Sequence, residues 1–327
     1  MRTRRIQPNV IWTGRSAALP FWVLVLWLVV AQAIAASGTF TVATYNLENY
    51  LIAPKETRQA KPIEARARIQ ETLKTLNADV LALQEVGGTA ALAELRTALE
   101  KEGLNYPQWE IVEGPDPFLN IAILSRYPIV ARRPHPDESF LLNGRLFKVS
   151  RGFAEVDIKI NARYVFTLMT THLKSRRPVP QAGEADLREQ EALRLREIID
   201  TRLAANPALN LVVCGDFNDL KSSLSTRSLI GQGKTALVDL RPAEQVSDTG
   251  ENPGGSRSLR HVTWTYFYAK EDTYSRIDFI LTSRSMARDC YRKETSVLAL
   301  PHWGEASDHR PIIATFFAGN STTAPSQ

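Results

Sequence analysis

Short apolar runs recur along this chain, and nearly every one is bounded by an acid, an amide or a histidine. Thr39 to Tyr45 alternates with the period of a strand and leads to Asn46. Ile69, Leu73 and Leu76 then repeat at helical spacing behind the start signal Pro62. Val80 to Leu83 reads as a short buried strand running into Glu85. A second helix carries Leu92, Leu95 and Leu99 and stops at Gly103. Further strands are expected at Ile121 to Leu124, Gly152 to Ile160, Tyr164 to Thr171, Leu209 to Cys214, Ile277 to Leu281 and Pro311 to Phe317, with a long helix from Glu184 to Leu203. Pro115 to Asn120, Ser175 to Gly183 and Gln245 to His261 read as loops. Strands alternating with helices define an α/β protein, and no repeat or composition break divides it beyond the N-terminal segment.

That segment has its own logic. A basic stretch ending at Arg15 precedes the apolar run Ala17 to Ala31, and Ala33-Ile34-Ala35 fits the small-x-small rule for signal-peptidase cleavage. Residues 1–35 are therefore expected to be a signal peptide or, if uncleaved, an anchor through residues 17–36. Either places the protein outside the cytoplasm, periplasmic or secreted, with membrane contact only in the uncleaved case. Residues 36–318 would form the one domain and 319–327 a polar tail.

Of 327 residues, 44% are hydrophobic and 23% charged, which excludes disordered, collagenous and coiled-coil chains. The net charge of +5 overstates any basic character. Arg2, Arg4, Arg5 and Arg15 account for four of the 40 basic residues, and without them 36 face 35 acids. Global charge thus points to no polyanionic partner. Cys214 and Cys290 are too few for a disulfide framework, and both are expected to be inert in the core.

The polar residues at the strand ends specify a chemistry. They are Asn46, Glu85, His172, Asp216, Asn218, Asp278, Asp308 and His309. Carboxylate and amide oxygens without a Cys or His cluster favour a hard divalent ion, Mg²⁺, Mn²⁺ or Ca²⁺, over zinc. There is no HExxH, no G-x-S-x-G elbow and no Gly-rich phosphate loop. A hard ion, a carboxylate base and histidines suit hydrolysis of a phosphate ester.

The motifs TYNLEN, LALQEV, ILSRYP, THLKS, GDFND, RIDFIL and SDHRP, in this order, resemble the endonuclease/exonuclease/phosphatase superfamily, with GDFN and SDHRP the most specific. The likeness runs from about Thr41 to Phe317. It implies a four-layer sandwich, two packed and mainly antiparallel β-sheets flanked by helices. It also implies roles. Glu85 would be the principal metal ligand, with Asn46 and Asp308 near or on the metal. Asp216 would orient or deprotonate water, and Asn218 would bond a phosphate oxygen. His309, oriented by Asp278, would contact the scissile phosphate. His172 stands where deoxyribonucleases and sphingomyelinases keep a histidine and apurinic endonucleases a tyrosine. Arg151 matches a phosphate-contacting arginine of the deoxyribonucleases. His135, His261 and His302 match nothing and are read as surface or structural.

Two loops are candidates for substrate contact. Lys174, Arg176 and Arg177 directly follow His172 and could hold phosphates. Trp264, Tyr266 and Tyr268 alternate, so a strand would put them on one face, where they could stack bases or pack a neighbouring strand. The expectation is an exported phosphoesterase using Mg²⁺ or Mn²⁺, with Ca²⁺ an option, and cleaving a phosphodiester in DNA or RNA. No protein partner is implied. The alternatives are a phosphatase or sphingomyelinase-like lipid phosphodiesterase with the same site, or a non-catalytic binding protein, which would have lost some of these acids and histidines.

Overall fold

A computed structural model describes residues 38–244 and 263–319. Residues 1–37, 245–262 and 320–327 lie outside the described residues, and with them the expected signal segment, most of the expected loop with Arg260 and His261, and most of the expected tail. The first elements are β1 (Thr39–Tyr50), α1 (Ile63–Leu76), β2 (Val80–Val86), α2 (Thr89–Lys101), β3 (Gln108–Val112), β4 (Asn120–Ser125) and β5 (Ile129–Arg132). Next come β6 (Ser139–Leu142), β7 (Arg145–Lys148), β8 (Phe153–Lys159), β9 (Val165–His172), α3 (Glu184–Ala205), β10 (Leu211–Asp216) and α4 (Leu224–Ile230). The rest are β11 (Val238–Asp239), β12 (Ala243–Glu244), β13 (Tyr266–Tyr268), β14 (Thr273–Ser275), β15 (Asp278–Thr282), α5 (Arg284–Arg288), β16 (Ser296–Val297) and β17 (Ile312–Phe317).

Two sheets carry the architecture, in the orders β12-β16-β17-β1-β2-β4-β3 and β11-β15-β10-β9-β8-β5. Most neighbours are antiparallel. The central pair of each sheet is parallel, β1 with β2 and β9 with β10. Side-chain parity separates the layers. Phe40, Val42, Val80 and Ala82 of one sheet meet Phe166, Leu168, Val212 and Cys214 of the other in the inter-sheet core. The opposite parity of the first sheet packs on Leu73 of α1 and Leu92, Leu95 and Leu99 of α2. That of the second packs on Leu195 and Ile199 of α3 and Leu229 of α4. Helix, sheet, sheet, helix is the expected four-layer order.

Cys214 and Cys290 are both buried and unpaired, as their apolar settings imply. The sequence reading missed β3, β5 and the β6–β7 hairpin. Their apolar runs, such as Ile129 to Ala131 and Phe140 to Leu142, are only three residues long and lie close to charge, with Glu110 of β3 paired to Arg132 of β5 at 3.0 Å.

Candidate active site

Along the inner faces of the central strands, apolar side chains give way to polar ones toward one end of the sandwich. Phe40, Val42, Thr44 and Asn46 succeed one another on β1, and Phe166, Leu168, Thr170 and His172 on β9. The intermediate layer is satisfied across the two sheets. Thr44 donates to Gln84 at 3.2 Å, and Gln84 donates to Thr170 at 3.1 Å. Above this floor, register places His172, Asp216 and Asp278 side by side on β9, β10 and β15. Gly215 permits the approach: at φ +135°, any Cβ there would lie 2.0 Å from the Thr171 carbonyl oxygen.

On the first sheet, bulges lie beside the candidate ligands. The β1–β2 register shifts between Asn46 and Tyr50, and the β2–β4 register between Leu83 and Val86. Glu48, Asn49 and Glu85 adopt φ of +47°, +55° and +62°, and Asn218 +53° on the other sheet. Non-glycine residues in the left-handed region are costly, and their concentration here marks a site the fold holds under strain.

Asp216 is the hub. Its Oδ2 accepts from Asn46 Nδ2 at 3.0 Å and lies 3.4 Å from His172 Nε2 and 3.7 Å from His309 Nε2. Its Oδ1 accepts the Asn218 amide at 2.8 Å. Burial pushes the Asp216 carboxyl up to about 7, with Asp278 adding to the rise and His309 opposing it. His309 donates through Nδ1 to Asp278 at 2.9 Å, both side chains being buried. Burial works against its charge, but Asp278, Asp216 and Asp308 overcome that and hold the imidazole well above its ordinary value. His172 goes the other way. Burial, then Arg151 and His309, keep it neutral, and its Nδ1 is buried without a partner.

Glu85 and Asp308 sit together on the other side of the hub. Glu85 accepts the Asn49 amide at 2.7 Å and the Asn46 amide group at 3.5 Å. Burial raises Asp308 to about 6, opposed by His309 and reinforced by Glu48 and Glu85. Three neighbouring carboxylates, Glu85, Asp308 and Glu48, are all hard oxygen donors and fit a divalent cation, although Glu48 also pairs with Lys61 at 3.4 Å. Glu48 is the member the sequence reading missed, although it stands two residues past Asn46. Asn46 spends its amide group on both carboxylates while its Oδ1 accepts the Glu48 amide at 2.9 Å, so it sits beside the ion position as a brace. Asp216, Asp278 and His309 also bring ligand atoms within 4.8 Å of one another. There the imidazole already lies between two carboxylates and supplies the positive charge.

The rim departs from expectation in part. Arg151 is buried: it donates to the Leu173 carbonyl and pairs with Asp116, each at 3.3 Å, and its Nε has no partner. It therefore faces the His172 side of the site. Lys174 turns its amine onto its own loop, donating to the Ser175 and Arg177 carbonyls at 2.9 Å. Arg176 is half-exposed and donates to the Asn218 carbonyl at 3.1 Å. Asn218 spends its own amide group on Leu173 and Asp216, at 3.0 and 3.3 Å, so its reach is toward the base. Tyr266 and Tyr268 do share a face. Their rings stack at 6.4 Å, and Tyr266 lies 4.7 Å from the His309 ring. Trp264 does not join them, because it precedes the strand and packs on Tyr274, Trp303 and Arg310. Arg58, unsuspected from sequence, leans on Phe118 at 5.2 Å and donates to the Asn49 side chain. His135 is structural, set between Glu138 and Glu155, and His302 is exposed.

The arrangement is that of a phosphoesterase, and comparison with known proteins defines the class. The chain belongs to the endonuclease/exonuclease/phosphatase family, whose sequence profile matches residues 43–309. It is a metal-dependent phosphoric ester hydrolase, as members of that family are. Among solved structures it is similar to sphingomyelinase C from Streptomyces griseocarneus, with TM-score 0.59 and 18% identity over 85% of this chain and 99% of that one. The catalytic domain of human Nocturnin aligns with TM-score 0.58 and 16% identity over 85% and 94%. A mannosyl-6-phosphatase from Bacteroides thetaiotaomicron aligns with TM-score 0.53 and 18% identity over 84% and 98%. At such identities these likenesses speak for the fold. No curated protein sequence matches at comparable significance.

Proposed function

We propose that this enzyme is an exported phosphodiesterase that hydrolyses nucleic acid with the aid of Mg²⁺ or Mn²⁺. The observation that carries the substrate reading is the Tyr266–Tyr268 stack, which begins against the His309 ring. A planar base fits such a platform, and base–aromatic stacking tolerates any sequence. Arg176 and Arg58, on loops beside the two halves of the site, add positive charge for a flanking phosphate.

Glu85 and Asp308 would hold the ion, with Glu48 and Asn46 beside them. When bound, the ion offsets charge on the phosphoryl oxygens and acidifies water. The chain's own groups do the rest. Asp216, with its raised proton affinity, orients the attacking water and takes its proton. Asn46 and Asn218 fix that carboxylate in place. His309, charged and oriented by Asp278, addresses a phosphate oxygen through Nε2. Neutral His172 is placed to donate a hydrogen bond through Nε2 to the departing oxygen, which takes its proton from solvent. A lipid or sugar phosphoester is favoured by one observation, the balance of 36 basic against 35 acidic residues once the N-terminal arginines are set aside.

Turnover of plasmid DNA, single-stranded RNA, sphingomyelin and a sugar phosphate, compared under one metal condition, tests the reading. Polynucleotide cleavage is expected to exceed the others. A preference of more than tenfold for lipid or monoester, with polynucleotide uncut, would overturn the nuclease reading and leave the metal site standing. For export, the mature N-terminus should be Ala36, and Met1 on a membrane-bound product would favour the anchor.

A further inference from the structure

Helix α3 buries charge in its first turns, where a helix packed on a sheet is expected to present only apolar side chains. Arg188 and Glu191, three residues apart and therefore on one face, are 4% and 1% exposed. Neither is paired with the other. Glu191 instead takes three donors from two separate loops. Its Oε1 accepts the Ser150 amide at 2.8 Å and the Ser150 hydroxyl at 2.6 Å, and its Oε2 accepts the Lys174 amide at 2.7 Å. Arg188 grips the Lys174 carbonyl at 3.1 Å and Asp219 at 2.9 Å. Ser150 immediately precedes Arg151, Lys174 follows His172 by two, and Asp219 follows Asn218. One helical face thus reaches the segments that carry Arg151, His172 and Asn218, though not the one leading to Asp278.

We infer that Glu191 is a positioning residue for phosphoester hydrolysis, fastening the Arg151 and His172 segments to α3 so that both side chains face the reacting phosphate. A buried carboxylate is tolerated only when its oxygens are satisfied, and these are satisfied by two backbone amides and the Ser150 hydroxyl. Arg151 and His172 meanwhile keep buried polar atoms, Nε and Nδ1, without a partner. Their backbones are fixed while part of their bonding capacity stays uncommitted. The inference rests on the phosphoesterase reading of the site and does not depend on which ester is the substrate.

The test is Glu191→Gln, which keeps shape but turns one of two acceptors into an amide group facing an N–H. Three readouts are followed in the enzyme. Hydrogen exchange at the Ser150 and Lys174 amides should accelerate at least tenfold at one of them, with no change in β9 or β10. With bis(p-nitrophenyl) phosphate as probe, kcat should fall 10- to 100-fold with KM altered less than threefold. Mn²⁺ affinity, read by calorimetry, should stay unchanged, because Glu191 does not touch the Glu85 side. In a background carrying both Arg151→Ala and His172→Gln, adding Glu191→Gln should cost at most another threefold if Glu191 acts through those two side chains. Full additivity of the two losses, or wild-type kcat despite faster amide exchange, would overturn the inference. If Glu191→Gln does not fold, Ser150→Ala removes one donor to the same oxygen and carries the test, with kcat expected to drop at least threefold and an unchanged kcat counting against the role. A wild-type enzyme inert toward every phosphoester would sink the functional reading instead, while the exchange result would stand or fall alone.

Discussion

Replacing Asp278 by Asn isolates what the charge beside His309 contributes. The carboxylate accepts from His309 Nδ1 at 2.9 Å, and both groups are almost wholly buried. Asparagine can still present an oxygen to Nδ1. Its amide group then falls where Asp278 Oδ1 now lies, buried and without a partner, so a donor goes unsatisfied as well. The electrostatic part can be sized. Unit charges roughly 4 Å apart at an effective dielectric near 20 interact by about 4 kcal/mol. At about 1.4 kcal/mol per decade, that is roughly a thousandfold in kcat if the imidazolium acts in the transition state. Steady-state kinetics should show kcat falling by that order, and an NMR titration of the His309 ring should show its proton affinity falling. The double variant Asp278→Asn with His309→Gln should be little worse than the worse single change. A loss under tenfold, or two losses that simply add, would refute the view that Asp278 acts through His309.

Three further outcomes are expected. Chelation should abolish turnover, added Mg²⁺ or Mn²⁺ should restore it, and Glu85→Ala should cost orders of magnitude; full activity of that variant in excess chelator would end the metal reading. Tyr266→Ala should raise KM for single-stranded polynucleotide roughly five- to hundredfold and leave bis(p-nitrophenyl) phosphate nearly untouched; an equal effect on both would show that the ring serves His309 and not a base. The base role of Asp216 requires its ionised form, and its folded value is raised to about 7 by burial. Turnover should therefore climb about tenfold per pH unit on the acid side and level off above that midpoint, which a bound cation shifts downward. A profile flat between about pH 5 and pH 8, together with full turnover in Asp216→Asn, would remove Asp216 from that role.

Most of this site was legible because the strands that carry it are the central ones. Strands buried on both faces must be apolar along their length, so a polar residue at the end of such a run stands out. That contrast is why Asn46, Glu85, His172 and Asp216 were found without any structure. The β6–β7 hairpin lacks that contrast: its apolar run Phe140 to Leu142 is short, Leu141 and Leu146 are exposed, and its one sequence signal is the Asn143-Gly144 turn. Parity was a safe guide only inside a strand. Tyr266 and Tyr268 obey it, whereas Trp264 lies in the irregular stretch before β13 and turns to Arg310 and Trp303.

What stayed hidden is position along a bulge and the destination of charge on a helix. Glu48 keeps the parity of Thr44 and Asn46, but it lies within the register shift after Asn46 at positive φ, where alternation no longer fixes a side chain's direction. Glu191 and Arg188 sit in a helix rich in Arg and Glu, where charge ordinarily means a solvated face. Their partners are the main-chain amides and carbonyl of loops and the side chains of Ser150 and Asp219. Backbone groups are the same whatever residue bears them, so their share of these bonds leaves no trace in residue type or spacing. The chemistry of the site is thus written in side chains at strand ends. Much of its alignment is written in bonds to the backbone, which only the folded chain displays.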